Sequence, residues 1–198
     1  MESHSAPSLA EQSDTAERIL DCAQTQIQRC GYNAVSYGDL AEALDLTTAA
    51  IHYHFPSKAD LGETLVARYR EMNAEQRAAI YEDESTLRAR LNRYVEGYAG
   101  VLEGGGLCLC GVLASDESTL PEAVRTEVRG FFADQEDWLA TIIAEEHDDG
   151  AGLRGYDSPR EVAELLLATI EGAMFTLPSR DPTAYRATLH RLIDTIAA

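Results

Sequence analysis

An all-α protein is the expectation for this chain of 198 residues, and three observations lead to it. Apolar residues recur at three- and four-residue spacing nearly throughout. No useful length of sequence alternates apolar and polar residues as a half-buried strand does. Serine, threonine, aspartate, proline and glycine stand where helices would begin and end.

The elements follow in order. A first helix is expected from Asp14 or Thr15, with Ile19, Leu20, Ala23 and Ile27 on one face and Gly31 as a left-handed stop. The residues ahead of it, 1–13, read as a disordered arm. Ser36 can cap the short helix "YGDLAEAL", with Asp39 completing a shortened capping box. "DLTT" forms a tight turn whose Thr47 or Thr48 caps a second short helix, "AAIHYHF", ended by Pro56. Ser57 then caps a long helix from Lys58 to about Tyr81. Two short helices joined by a tight turn, with a longer helix on either side, match a helix-turn-helix module.

Beyond it come "STLRARLNRYVEGYAGVL", a flexible "EGGG", the short apolar "LCLCGVLA" and a long helix opened by Pro121. The glycine-rich loop "DDGAGLRGYD" leads to a helix opened by Ser158 and Pro159, and the last helix opens at Asp181 and Pro182. The plan amounts to about nine helices, with a DNA-binding domain over 14–60 and a helical ligand-binding and dimerisation domain over 61–198.

Composition narrows the classes. A hydrophobic content of 45% suffices for a packed core. No apolar run reaches membrane-spanning length, and "MESHSAPSLAEQSD" lacks the basic and apolar regions of a signal peptide, so a cytoplasmic location is expected. The four cysteines, Cys22, Cys30, Cys108 and Cys110, are too few for a disulfide scaffold and read as free thiols. There is no Ser-His-Asp cluster, phosphate loop or metal-ligand spacing, so neither an enzyme nor a cofactor or metal is expected. His52 and His54 point about 200° apart on a helix and cannot share a metal.

Charge is the awkward feature. The formal net charge is -18, and residues 1–70 alone carry 5 basic side chains against 10 acidic ones. Such a field opposes nonspecific nucleic-acid binding. Yet the only lysine, Lys58, stands four residues after the run His52, Tyr53 and His54.

The run containing Ile51, Tyr53, His54, Phe55, Lys58 and Leu61, within "AERILDCAQTQIQRCGYNAVSYGDLAEALDLTTAAIHYHFPSKADLGETLV", resembles the N-terminal DNA-binding domain of the TetR family of bacterial regulators. The resemblance implies an all-α homodimer, usually a repressor, released from its DNA operator by a small-molecule inducer. It places Ser36 and Tyr37 beside the DNA and Thr47, Thr48, Ala49 and Ala50 at the base edges. His52, Tyr53, His54 and Lys58 fall at the positions of backbone contacts. Two threonines and two alanines offer hydroxyls and methyls but no bidentate pairing, so base readout is expected to be modest. Two positions depart from the family pattern: His52 replaces an aromatic, and Asp45 replaces the glycine of the turn.

In the second half, Cys108 at the start of a short helix resembles a branch of the family that senses electrophiles or oxidants. Its thiolate is expected to be stabilised by the helix dipole; a buried small hydrophobe is the plainer role. Tyr94, Tyr98, Leu113, Phe131, Trp138, Glu171, Met174 and Phe175 fall on helices that line the family's ligand cavity. Tyr94, Tyr98, Trp138 and Met174 join Cys108 as the ligand- or redox-sensing candidates. The last two helices are implied as the homodimer interface, giving a pseudo-palindromic double-stranded operator. The competing reading is a helical small-molecule-binding or thiol-reactive sensor whose DNA binding is weak or vestigial.

Overall fold

A computed structural model describes residues 9–146, 156–177 and 181–196. Among them are nine α-helices and no strand. The helices are α1 (Leu9–Cys30), α2 (Tyr37–Leu44), α3 (Thr48–His54), α4 (Lys58–Asp83), α5 (Leu87–Glu103), α6 (Leu109–Ser115), α7 (Glu122–Glu146), α8 (Pro159–Thr176) and α9 (Pro182–Ile196). Residues 1–8 of the expected arm and most of the loop over 148–157 lie outside the described residues.

Helix ends fall where local chemistry sets them. Ser36 accepts the Asp39 N–H while the Asp39 carboxylate accepts the Ser36 N–H at 2.8 Å, so the shortened box is complete. Ser57 and Asp60 repeat the device at α4. Gly31 sits at φ 88°, a left-handed conformation that only glycine adopts freely, and its N–H closes α1 on the Ile27 carbonyl at 2.9 Å. Two ends differ from expectation. α1 starts at Leu9, ahead of Asp14. Pro121 stands just before α7 rather than within its first turn, its carbonyl accepting the Arg125 N–H at 3.0 Å.

Helices α1, α2 and α3 pack around Ile19, Leu20, Ile27, Leu40, Ile51 and Phe55, all buried. That core runs without a break into the larger body, where α7 packs on α4 and α8 and α9 packs on α5. Burying each aliphatic side chain of this kind contributes about 2 kcal/mol. α4 belongs to both parts. Arg68 on it donates to Glu17 and Asp21 of α1 at 2.6 and 2.8 Å, while Arg70 donates to Glu127 and Asp134 of α7 at 2.7 and 3.0 Å. Gly62 lets α4 come close: a Cβ there would lie 2.9 Å from Val124 Cγ2 and 3.1 Å from the Tyr32 ring. No helix among the described residues is long and apolar enough to cross a membrane.

Candidate nucleic-acid interface and interior cavity

The turn between α2 and α3 is set by Asp45, which sits at φ 55°, ψ 46° and returns its N–H to the Ala41 and Glu42 carbonyls. A side chain in that conformation strains the backbone, and here it also adds a carboxylate beside the exposed helix. Asp45→Gly is expected to raise the unfolding free energy by about 1 kcal/mol, read from urea denaturation. An unchanged midpoint would mean that the aspartate carries no strain.

Thr47 caps α3, its hydroxyl accepting the Ala50 N–H at 3.1 Å. Thr47, Thr48 and Ala49 are exposed, and Ala50 is partly so. The first turn of α3 thus faces solvent, while Ile51 and Phe55 anchor the opposite side. Tyr53 is 67% exposed, with the half-buried His54 ring edge-on to it at 5.2 Å. Their freedom differs from that of the next pair. His52 shares a hydrogen bond with the Pro56 carbonyl at 3.1 Å and meets the Tyr37 ring at 4.6 Å, and Tyr37 donates to the Phe55 carbonyl at 2.9 Å. Burial, with the Asp60 carboxylate adding to it, pushes the Tyr37 phenol up to about 12. Tyr37 and His52 are therefore held in place, with the ring of Tyr37 bracing the end of α3. The exposed Ser36 hydroxyl is engaged with Asp39 at 2.6 Å.

Lys58 is half-buried. Its ammonium donates to the Tyr32 carbonyl at 2.6 Å and lies 4.3 Å from the centre of the Tyr32 ring, while the Tyr32 hydroxyl donates back to the Lys58 carbonyl at 2.9 Å. Burial lowers its pKa, opposed by the Asp116 and Asp39 carboxylates. An ammonium has three donors, and the Tyr32 carbonyl takes one of them. This anchoring role was not legible in the sequence.

The interior differs more from expectation. Cys108 does stand at the start of α6, with its sulfur accepting the Gly111 N–H at 3.5 Å. It is nevertheless fully buried, and its thiol is pushed well above the usual range by burial and then by the Glu171 carboxylate. Desolvation and a neighbouring anion outweigh the helix end, so the expected stabilisation of the thiolate does not occur. Cys110 is buried and raised in the same way. Cys30, on the outer face of α1, is the exposed thiol.

Glu171 on α8 places both carboxylate oxygens in the interior without a hydrogen-bond partner, and burial raises it to about 7. The Cys108 thiol faces it and favours the charged form slightly, without satisfying either oxygen. Gly111 makes room for it, since a Cβ there would lie 2.5 Å from Glu171 Oε2.

The other predicted interior residues divide. Tyr94 and Tyr98 exchange a hydroxyl contact at 3.1 Å, and Tyr94 donates to Gln135 Oε1 at 3.0 Å. Both tyrosines line a cavity of about 380 Å³ between α1, α4 and α5. Trp138 lies beside Tyr94, ring centres 5.2 Å apart, and Met174, Leu113 and Phe131 are buried core. Phe175 points outward, 44% exposed, rather than into the interior. Arg77, which also lines the cavity, was missed. The available signal was its spacing from Leu65, Tyr69 and Ile80, which places a guanidinium on the buried stripe of α4.

A capped helix exposed at its first turn, set on another by a tight turn and backed by a long helix entering an all-α body, defines a helix-turn-helix DNA-binding regulator. The profile described as "Bacterial regulatory proteins, tetR family" matches residues 19–65. A TetR-family transcriptional regulator from Agrobacterium tumefaciens is similar at 33% identity over 94% of this chain and 100% of that one, with a TM-score of 0.87. A TetR transcriptional regulator from Legionella pneumophila is similar at 28% identity over 93% and 97% of the two chains, with a TM-score of 0.82. The nucleoid occlusion factor SlmA of Marinomonas sp. (strain MWYL1) is 28% identical over 160 residues, 80% of each chain. The chain belongs to the TetR family of bacterial transcriptional regulators.

Proposed function

We propose that this regulator is a repressor that binds a pseudo-palindromic operator as a homodimer and leaves it when a small molecule occupies the helical domain. The observation that carries the reading is the solvent-facing first turn of α3, whose Thr47, Thr48, Ala49 and Ala50 meet the base edges in the major groove. Tyr53, His54 and Lys58 take the flanking phosphates, and Ser36 meets the backbone at the start of α2. Tyr37 and His52 contribute through the brace they form behind α3. With so few cations, binding depends on these local contacts and not on a general field.

The homodimer forms through α8 and α9. In support, α8 presents an outer stripe of Leu165, Ala168, Thr169, Gly172 and Phe175 at three- and four-residue spacing, with Leu165 42% exposed. Its other apolar residues, Val162, Leu166, Ile170 and Ala173, are consumed by the chain's own core, as are Leu189 and Ile193 of α9. The small Ala168 and Gly172 allow a twin helix to approach closely.

Release is by reversible ligand binding. The burial and weakened acidity of Cys108 argue against thiol modification as the trigger. The long helix α4 links the two sites, since Lys58 opens it and Arg77 lies about 28 Å further along the same axis.

Fluorescence anisotropy with DNA from upstream of its own coding region tests the reading. The wild type is expected to bind with a steep salt dependence. Lys58→Ala is expected to weaken binding about tenfold and to flatten the salt slope by about 2 for a dimer. Absence of wild-type binding at low salt would reject the repressor and leave the sensor reading in its place.

A further inference from the structure

The cavity between α1, α4 and α5 contains one cation, and no carboxylate among the described residues pairs with it. Arg77 is only 8% exposed, its Nη1 is buried without a hydrogen-bond partner, and among the described residues no carboxylate forms an ion pair with it. The carboxylate that acts on it, Asp134, already receives the Arg70 guanidinium at 3.0 Å. A guanidinium nitrogen buried without a partner is strongly destabilising, so a group of this kind is satisfied by something it meets. Around it are the tyrosines Tyr69, Tyr94 and Tyr98 with the apolar Met72 and Val101, and the volume of about 380 Å³ is that of a small-ligand site.

We infer that this cavity takes an organic monoanion, with a carboxylate or sulfonate on Arg77 and an apolar body against the tyrosine rings, Met72 and Val101. Guanidinium matches an oxyanion with paired N–H donors, and the tyrosine faces suit an aromatic or aliphatic body. A cationic ligand is disfavoured, because it would place a second positive charge beside Arg77. A ligand there presses on α4 and α5 together. Its role as the effector rests on the repressor reading, but its binding does not.

The test uses the full-length protein and two probes with the same rings: 8-anilinonaphthalene-1-sulfonate, an anion, and N-phenyl-1-naphthylamine, which is neutral. Trp138 is the single tryptophan and lies against Tyr94, so its quenching locates the anionic probe near the cavity. Saturable binding of one anion per chain is expected. Arg77→Met and Arg77→Gln are each expected to weaken the anion about tenfold or more while leaving the neutral probe within about twofold. Val101→Trp, which fills the cavity, is expected to weaken both probes. Thermal melts of the variants establish that they are folded, and the methionine variant is expected to melt no lower than wild type because it removes an unpaired buried charge. Unchanged anion affinity in a folded Arg77 variant, or no saturable binding by the wild type, overturns the inference. Operator binding is measured separately, so that failure of the repressor reading leaves the probe result standing.

Discussion

Glu171→Gln raises the unfolding free energy at about pH 8 by about 2–3 kcal/mol and changes it little near pH 4.5. The carboxyl is moved from its ordinary 4.5 to about 7 by burial, which the neighbouring Cys108 thiol offsets only in part. Between those two values the folded chain keeps a proton that the unfolded chain has released. The stabilisation is therefore complete below about 4.5, declines as the pH rises towards 7, and is absent above it. Glutamine resembles the protonated acid and does not ionise, so the variant keeps at high pH what the wild type loses. The neighbouring thiols Cys108 and Cys110 and the phenols of Tyr69 and Tyr94 are all raised above their ordinary values, so none of them titrates in this window. Urea unfolding of both proteins at several pH values measures the difference. Parallel pH profiles would show that the carboxylate is solvated or paired in solution.

Leu165→Glu is expected to convert the proposed α8 and α9 dimer to a monomer and to lower affinity for the proposed operator by about 10²–10⁴-fold. The side chain is already exposed on a single chain, so the substitution costs little in folding. In a two-fold interface each substitution acts twice, and the new carboxylates are buried near one another in a protein already at net charge -18. Each recognition helix then binds alone, without the effective concentration that its twin supplies. Light scattering gives the mass and anisotropy the affinity. A dimer that survives Leu165→Glu places the interface elsewhere, and a monomer that keeps full affinity removes the need for two half-sites.

The helix ends and turn of the helix-turn-helix module were nearly all legible because what forms them is local. The boxes at Ser36 and Ser57, the cap at Thr47, the stop at Gly31 and the left-handed turn at Asp45 each involve residues within a few positions of one another. The interior was less legible. Cys108 carries the signature of a reactive thiol by its place at a helix start, but its chemistry is set by burial and then by Glu171, which arrives from α8 far along the chain. Arg77 looks like any surface arginine unless its register on α4 is followed, and its isolation depends on Arg70 having taken Asp134.

The sequence by itself determined the fold class, the helix-turn-helix and the exposed face of α3, since apolar period and capping act over one or two turns of helix. The tertiary structure alone decided that Lys58 is braced on Tyr32, that Cys108 is sealed from solvent, and that Arg77 Nη1 and the Glu171 carboxylate are turned into the interior. Those outcomes follow from desolvation and from charges on distant segments, and both come into being only when the helices pack.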